Sequence, residues 1–238
     1  MKQSKRILAV LLACVMVIGM SMTGCGKQEP KKKTENQVEN KREDVVIALS
    51  SDMTTFNPIN SATKSDDFVI EQIYDQLYFL NDDGEKIPKL AESYEVKDDG
   101  LTYVFNLKKG VKFQNGEELK ASDVVFTIGL AKESSYTSGY VDQIDKATAL
   151  DDYTVELKLA APFAPFFEQI CYLYILNEKA VKDAGDDYEM NPVGTGSYKL
   201  VNYEAGNKVE LTRYDDCYKG KADIKDVMLY MVIQKILL

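Results

Sequence analysis

The chain contains no histidine and no tryptophan, and only four cysteines and six prolines among its 238 residues. Without imidazole, Ser–His and Cys–His nucleophile pairs and the usual histidine-bearing zinc sites are excluded. Acid–base chemistry by carboxylates or lysine stays open, so a catalytic role is weakened but not removed. An excess of positive charge is missing too: the formal net charge is −9. Phosphate binding depends on a basic face, so this balance argues against nucleic acid and fits ordinary solubility. Also absent is a long apolar run. The stretch from Ile7 to Met20 is too short to span a bilayer comfortably as a permanent helix.

Lys2, Lys5 and Arg6 precede that stretch, and small residues follow it up to Cys25. A basic head, a short apolar core and a small-residue break describe a secretory signal. Met22-Thr23-Gly24-Cys25 resembles a bacterial lipobox, with Met22 in place of the usual Leu. The resemblance implies removal of residues 1–24 and acylation of Cys25, which would tie the protein to the membrane. An uncleaved anchor with an incidental cysteine is the alternative. Losing three cations and no acid takes the net charge from −9 to −12. Residues 25–44 are almost wholly polar and read as a disordered tether.

Val45 to Leu49 is a buried-strand run that opens the folded part, and a polar loop from Ser50 to Pro58 follows. Phe68, Ile70, Ile73, Leu77 and Leu80 recur at helical spacing, which predicts a helix over 66–80. Asn81-Asp82-Asp83-Gly84 closes it. Leu101, Tyr103, Phe105 and Leu107 alternate with Thr102, Asn106 and Lys108, as in a half-buried strand. Asp98-Asp99-Gly100 is a turn before it, and Asn115-Gly116 is a tight-turn signal beyond it. Ser122 offers a capping oxygen for the next helix, with Asp123 in its first turn. Residues 151–159 alternate again, and Pro162 introduces a further helix. Cys171 and Cys217 are either a disulfide or two separate buried thiols. Gly194 and Gly196 are followed by a strand pattern, so they suit a tight chain crossing better than a phosphate cradle.

The wording of several stretches goes further. Ala91-Glu92-Ser93-Tyr94, Asp99 to Phe105, Leu107 to Phe113, Asn115-Gly116 and Ala121 to Phe126 resemble the signature of the family 5 extracellular solute-binding proteins. These are the oligopeptide and dipeptide receptors of ABC importers. Asn191-Pro192-Val193-Gly194-Thr195-Gly196-Ser197-Tyr198 is similar to the family's N-P-V-G-T-G-P-Y, with Ser197 replacing proline. Tyr214 stands for Asn, and Cys217-Tyr218 for Tyr-Trp.

The resemblance implies an α/β fold: the mixed-sheet first, N-terminal lobe of a two-lobed, periplasmic-binding-protein-like (type II) architecture. It implies a non-enzymatic, extracytoplasmic, lipid-anchored receptor with a peptide ligand and ABC permease partners, and no catalytic residue, cofactor, metal or nucleic acid. Nickel, haem and oligosaccharide ligands also occur in the family. Asp52, Met53 and Thr54 match the loop at the mouth of the ligand cleft. Tyr136 or Tyr140 matches a tyrosine that faces the ligand. On this reading residues 45–227 form the first lobe. Residues 228–238 lack the family's next motif and read as an atypical tail left by truncation or a frameshift. Two rivals are an envelope lipoprotein that binds no small ligand, and a carboxylate hydrolase using a pair such as Glu117 and Glu118. Adjacent residues of a strand or turn point apart, which makes that pair poor for shared acid–base work.

Overall fold

The computed structural model describes residues 43–232. The expected signal segment, Cys25, most of the expected tether and residues 233–238 lie outside the described residues. The chain runs β1 (Asp44–Leu49), α1 (Lys64–Ile73), β2 (Tyr78–Leu80), β3 (Lys86–Pro88), β4 (Ala91–Lys97) and β5 (Thr102–Leu107). It continues through α2 (Ala121–Glu133), β6 (Ile144–Ala149), β7 (Thr154–Leu159), α3 (Phe166–Ile170) and α4 (Glu178–Ala184). The last elements are β8 (Tyr198–Glu204), β9 (Lys208–Arg213) and β10 (Asp226–Met231).

Two four-stranded sheets result, ordered β1-β10-β9-β8 and β4-β5-β7-β6, with β2 and β3 as a separate hairpin. The first sheet is mixed, because β1 pairs parallel to β10 while β10, β9 and β8 are antiparallel. The second is antiparallel throughout. The expected break after Val227 is not a structural boundary. β10 passes through it between β1 and β9, burying Val227, Leu229 and Met231.

β5 is buried on both faces, not on one as its alternation suggests: Thr102 and Val104 are covered as well as Tyr103 and Phe105. It is an inner strand, and on the outer face its neighbours lay Glu95, Glu156, Lys97 and Lys158 beside Val104 and Thr102. The turn before it holds Asp98, Asp99 and Gly100 all at positive φ, a region that aspartate tolerates better than most residues. The inner face packs on α2 through Val124, Ile128 and Ala131.

α1 begins as the sequence rules require. Thr63 is its cap and accepts from the Asp66 amide at 3.1 Å. Its end is a correction: the helix stops at Ile73, not Leu80, and Tyr78–Leu80 is a strand. The Ile73 carbonyl is claimed by the Gly196 amide at 2.8 Å and by Gln114 Nε2 at 3.2 Å. At α2 the cap differs too. Ser122 lies inside the helix, and the Asp123 carboxylate reaches back to accept from the Lys120 amide at 2.8 Å. Its other oxygen accepts from the Glu178 amide at 2.9 Å, so one buried side chain secures the start of both α2 and α4. Burial raises the Asp123 pKa despite these bonds. Cys171 and Cys217 are separate buried thiols.

Candidate ligand groove

Every element around α1 is tied to it, and this determines what stays open. On its amino-terminal side the loop after β1 is fastened at several points. The Ser51 hydroxyl donates to Ser65 Oγ at 2.8 Å, and Asp66 accepts from the Thr54 amide at 2.8 Å and from its hydroxyl at 2.5 Å. Asp52 accepts from the Tyr203 hydroxyl at 3.0 Å and from the Gly206 amide at 2.7 Å, in the β8–β9 turn. Burial pushes the Tyr203 phenol up to about 12, helped by the Asp52 carboxylate beside it. The Met53 side chain is buried. The loop matched to the cleft mouth therefore has both Asp52 oxygens and the Thr54 hydroxyl already engaged within the lobe.

The second half of the loop, Thr55–Asn60, is gripped by Glu189, which accepts from Thr55, from Asn57 Nδ2 at 2.9 Å and from Asn60 Nδ2 at 2.6 Å. Across from it, the Ser134 hydroxyl donates to the Ile59 carbonyl at 2.7 Å. This bond fixes the segment that carries Tyr136 and Tyr140 against the loop.

At the carboxyl end of α1 the crossing of Gly194 and Gly196 is so close that no side chain fits. A Cβ on Gly194 would stand 2.0 Å from the Ile73 carbonyl oxygen, and one on Gly196 would stand 2.5 Å from that of Gln72. Gln114, held by the Asn115-Gly116 turn, bridges the crossing: its amide group donates to the carbonyls of Ile73 and Tyr198. Buried Asp75 completes the junction, accepting from Lys219 Nζ at 2.9 Å and from the Thr195 hydroxyl at 3.3 Å.

The remaining face of α1 opens on a groove of about 530 Å³. Tyr136 and Tyr140 both line it, together with Phe68, Tyr172 and Tyr174. Tyr140 and Tyr172 stack at a tilt, their ring centroids 5.6 Å apart. Tyr136 and Tyr172 remain 56% and 54% exposed, and such rings offer a flat apolar face and a hydrogen-bonding tip. Pro58 and Ser61 contribute from the loop, whereas Asp52, Met53 and Thr54 do not line this groove. Sequence reasoning missed three of the aromatics. Phe68 reads as a core position of α1 but faces the groove. Tyr172-Leu173-Tyr174 is a short alternation that buries Leu173 and turns both tyrosines to the opening.

The acidic pair considered for hydrolysis is not arranged for it. Glu118 accepts from the Tyr153 hydroxyl at 2.7 Å and from the Gly110 amide at 2.9 Å, which pulls its pKa below the ordinary value. A general acid needs the opposite shift. Among the described residues no group of three or more Cys, Asp or Glu is placed to hold a metal, and no helix is long and apolar enough to cross a membrane.

Comparison with known proteins places this geometry. Glutathione-binding protein GsiB of Salmonella choleraesuis (strain SC-B67) is 31% identical over 176 residues, covering 72% of this chain and 34% of GsiB. The chain thus spans about a third of the length of the curated relatives it matches. MoaA of A. tumefaciens R10, solved with mannopinic acid, superposes with a TM-score of 0.76 at 28% identity, covering 80% of this chain and 41% of MoaA. The oligopeptide-binding protein AppA of Bacillus subtilis, solved with a nonapeptide, gives 0.73 at 26%, covering 79% and 40%. The α/β lobe described above is the part shared with these two-lobed binding proteins. The model of the bacterial extracellular solute-binding proteins, family 5, matches residues 85–234, more than half of the sequence, and the chain belongs to that family.

Proposed function

We propose that this chain forms one wall of the ligand cleft of an extracytoplasmic binding lipoprotein that captures short peptides for an ABC permease. The observation that carries the reading is the open tyrosine-lined groove on α1, with Tyr136 and Tyr140 at its edge, in a family 5 chain. A short peptide presents a polar backbone and apolar side chains, which tyrosine rings and hydroxyls can meet together. Glutathione, named for GsiB, falls within that class. Asp52, Met53 and Thr54 shape the cleft mouth from within the lobe, since the Asp52 carboxylate and the Thr54 amide and hydroxyl are bonded inside it. Binding clefts of this type bury ligand between two walls. One wall alone holds a peptide no better than about millimolar, roughly −4 kcal/mol.

Calorimetric titration of the protein with short peptides, glutathione included, tests this. Saturable binding is expected, weakened by roughly 0.5–1.5 kcal/mol in Tyr140→Ala through loss of a ring contact. Peptide turnover, or affinities that Tyr136→Ala and Tyr140→Ala leave unchanged, would overturn it. The lipid anchor is checked by fractionation: Cys25→Ser should shift the protein out of the membrane fraction. Retention with normal processing would remove Cys25 as the acylated residue.

A further inference from the structure

The groove carries negative charge that nothing in the lobe fully neutralises. Lys64, Asp67 and Glu71 are its ionisable carboxylates and amine. Lys64 points into solvent, 97% exposed, with its ammonium 3.5 Å from the Asp67 carboxylate. Asp67 is further satisfied by the Ser61 hydroxyl at 2.7 Å. Glu71 is exposed, and its side chain forms no hydrogen bond or ion pair among the described residues. It lines both the groove and an adjoining cavity of about 180 Å³, which it shares with Tyr174. Two physical signs agree. Desolvation and then the neighbouring Asp67 charge raise the Glu71 pKa, against a smaller lowering by Lys64. The Tyr174 phenol is pushed up by burial and, after that, by Glu71, Asp67 and Asp75.

The rings tell the same story by contrast. Elsewhere in this lobe lysine ammoniums cover aromatic faces: Lys86 lies 4.0 Å from the centroid of Phe167, and Lys120 lies 4.2 Å from that of Tyr153. Among the described residues none lies over Tyr136, Tyr140, Tyr172 or Tyr174. Aromatic faces attract cations through their ring quadrupole, most strongly where water is displaced. Of the nearby amines, Lys64 is turned to solvent beside Asp67, Lys219 is paired with Asp75, and Lys89 lines only the adjoining cavity, so a carboxylate ligand in the groove would meet Glu71 and Asp67 first.

We propose that the groove receives an organic ammonium group, carried on an apolar or aromatic body, between its tyrosine rings and the Glu71 carboxylate. This rests on reading the groove as a ligand wall, and it adds the charge of the ligand to that reading. Glu71 sets the preference for a cation, and the rings hold the body of whatever carries it.

The test is an amide-resolved NMR titration of the protein with three small probes of similar shape: 2-phenylethylamine, 2-phenylethanol and 3-phenylpropionate. The amine should bind about tenfold tighter than the alcohol, and the acid weakest of all. Glu71→Gln should abolish that ranking while all three probes still bind. Tyr172→Ala, at an exposed ring, should weaken all three. Equal affinities, a preference for the acid, or no saturable shift at groove amides would overturn the proposal. Free, N-acetylated and lysine-bearing acetylated tripeptides then identify which peptide ammonium is taken, if either. Peptide binding that ignores ligand charge defeats this inference alone. Amine selection without any peptide binding defeats the importer reading alone.

Discussion

The two sheets of this lobe treat their outer faces differently. In β4-β5-β7-β6 the outward rows are charged: Glu95 and Glu156 flank Val104, and Lys97 and Lys158 flank Thr102. The long side chains cover the inner strand, so the sheet hides β5 without a helix on that side. In β1-β10-β9-β8 the half built by β9 and β8 is likewise charged, with Lys208 bonded to Glu210 and Glu204. The β1–β10 half is not. Val46 and Met228 stand side by side, followed by Ala48 and Tyr230, and Val46 is 63% and Tyr230 41% exposed. Charge patterning marks a face meant for water, and a contiguous apolar patch marks one that associates. Both sheets bury their inner faces in one core cluster, so the contrast lies entirely outside.

The largest expected effect comes where the chain passes from one sheet to the other. Gly194→Ala would push a methyl to 2.0 Å from the Ile73 carbonyl oxygen, costing roughly 3 kcal/mol or more because backbone must move. Urea unfolding followed by circular dichroism should show a single transition at a clearly lowered midpoint. Two separated transitions would mean that the sheets are independent units and would break the comparison as drawn. The smallest effect belongs to the outer face. Val46→Glu with Tyr230→Lys copies onto β1 and β10 the charge pattern of the other sheet. Stability should change by no more than about 0.5 kcal/mol, as at ordinary surface positions, while light scattering should show a more monodisperse sample. A large loss of stability would show that these side chains are packed in solution.

The sequence displays local chemistry well and distant contacts poorly. The Asn115-Gly116 turn and the α2 stripe were legible because each depends on neighbours in the chain. The end of α1 was not. Leu77 and Leu80 continue the helical period of Phe68, Ile70 and Ile73, and only the crossing of Gly194 and Gly196, far along the chain, stops the helix. The same distance explains why Asp52 looks like a free ligand group in sequence, since Tyr203 and Gly206 are what occupy it. Tyr136 and Tyr140 were singled out through a family pattern, and both line the groove. Tyr172 and Tyr174 escaped because a two-tyrosine alternation also suits an ordinary strand end.

The parallel pairing of β1 with β10 has a consequence in time. Asp44 meets Asp226, and Leu49 meets Met231, so the strand synthesised first waits for one about 180 residues later. At ordinary elongation speeds that interval is roughly 10–40 s. Throughout it Val45, Val46 and Ile47 have no hydrogen-bonding neighbour from their own sheet among the described residues, where β10 is the only strand beside β1. The nascent lobe therefore carries an unpaired apolar strand for nearly its whole synthesis, the condition under which chaperone holding matters most.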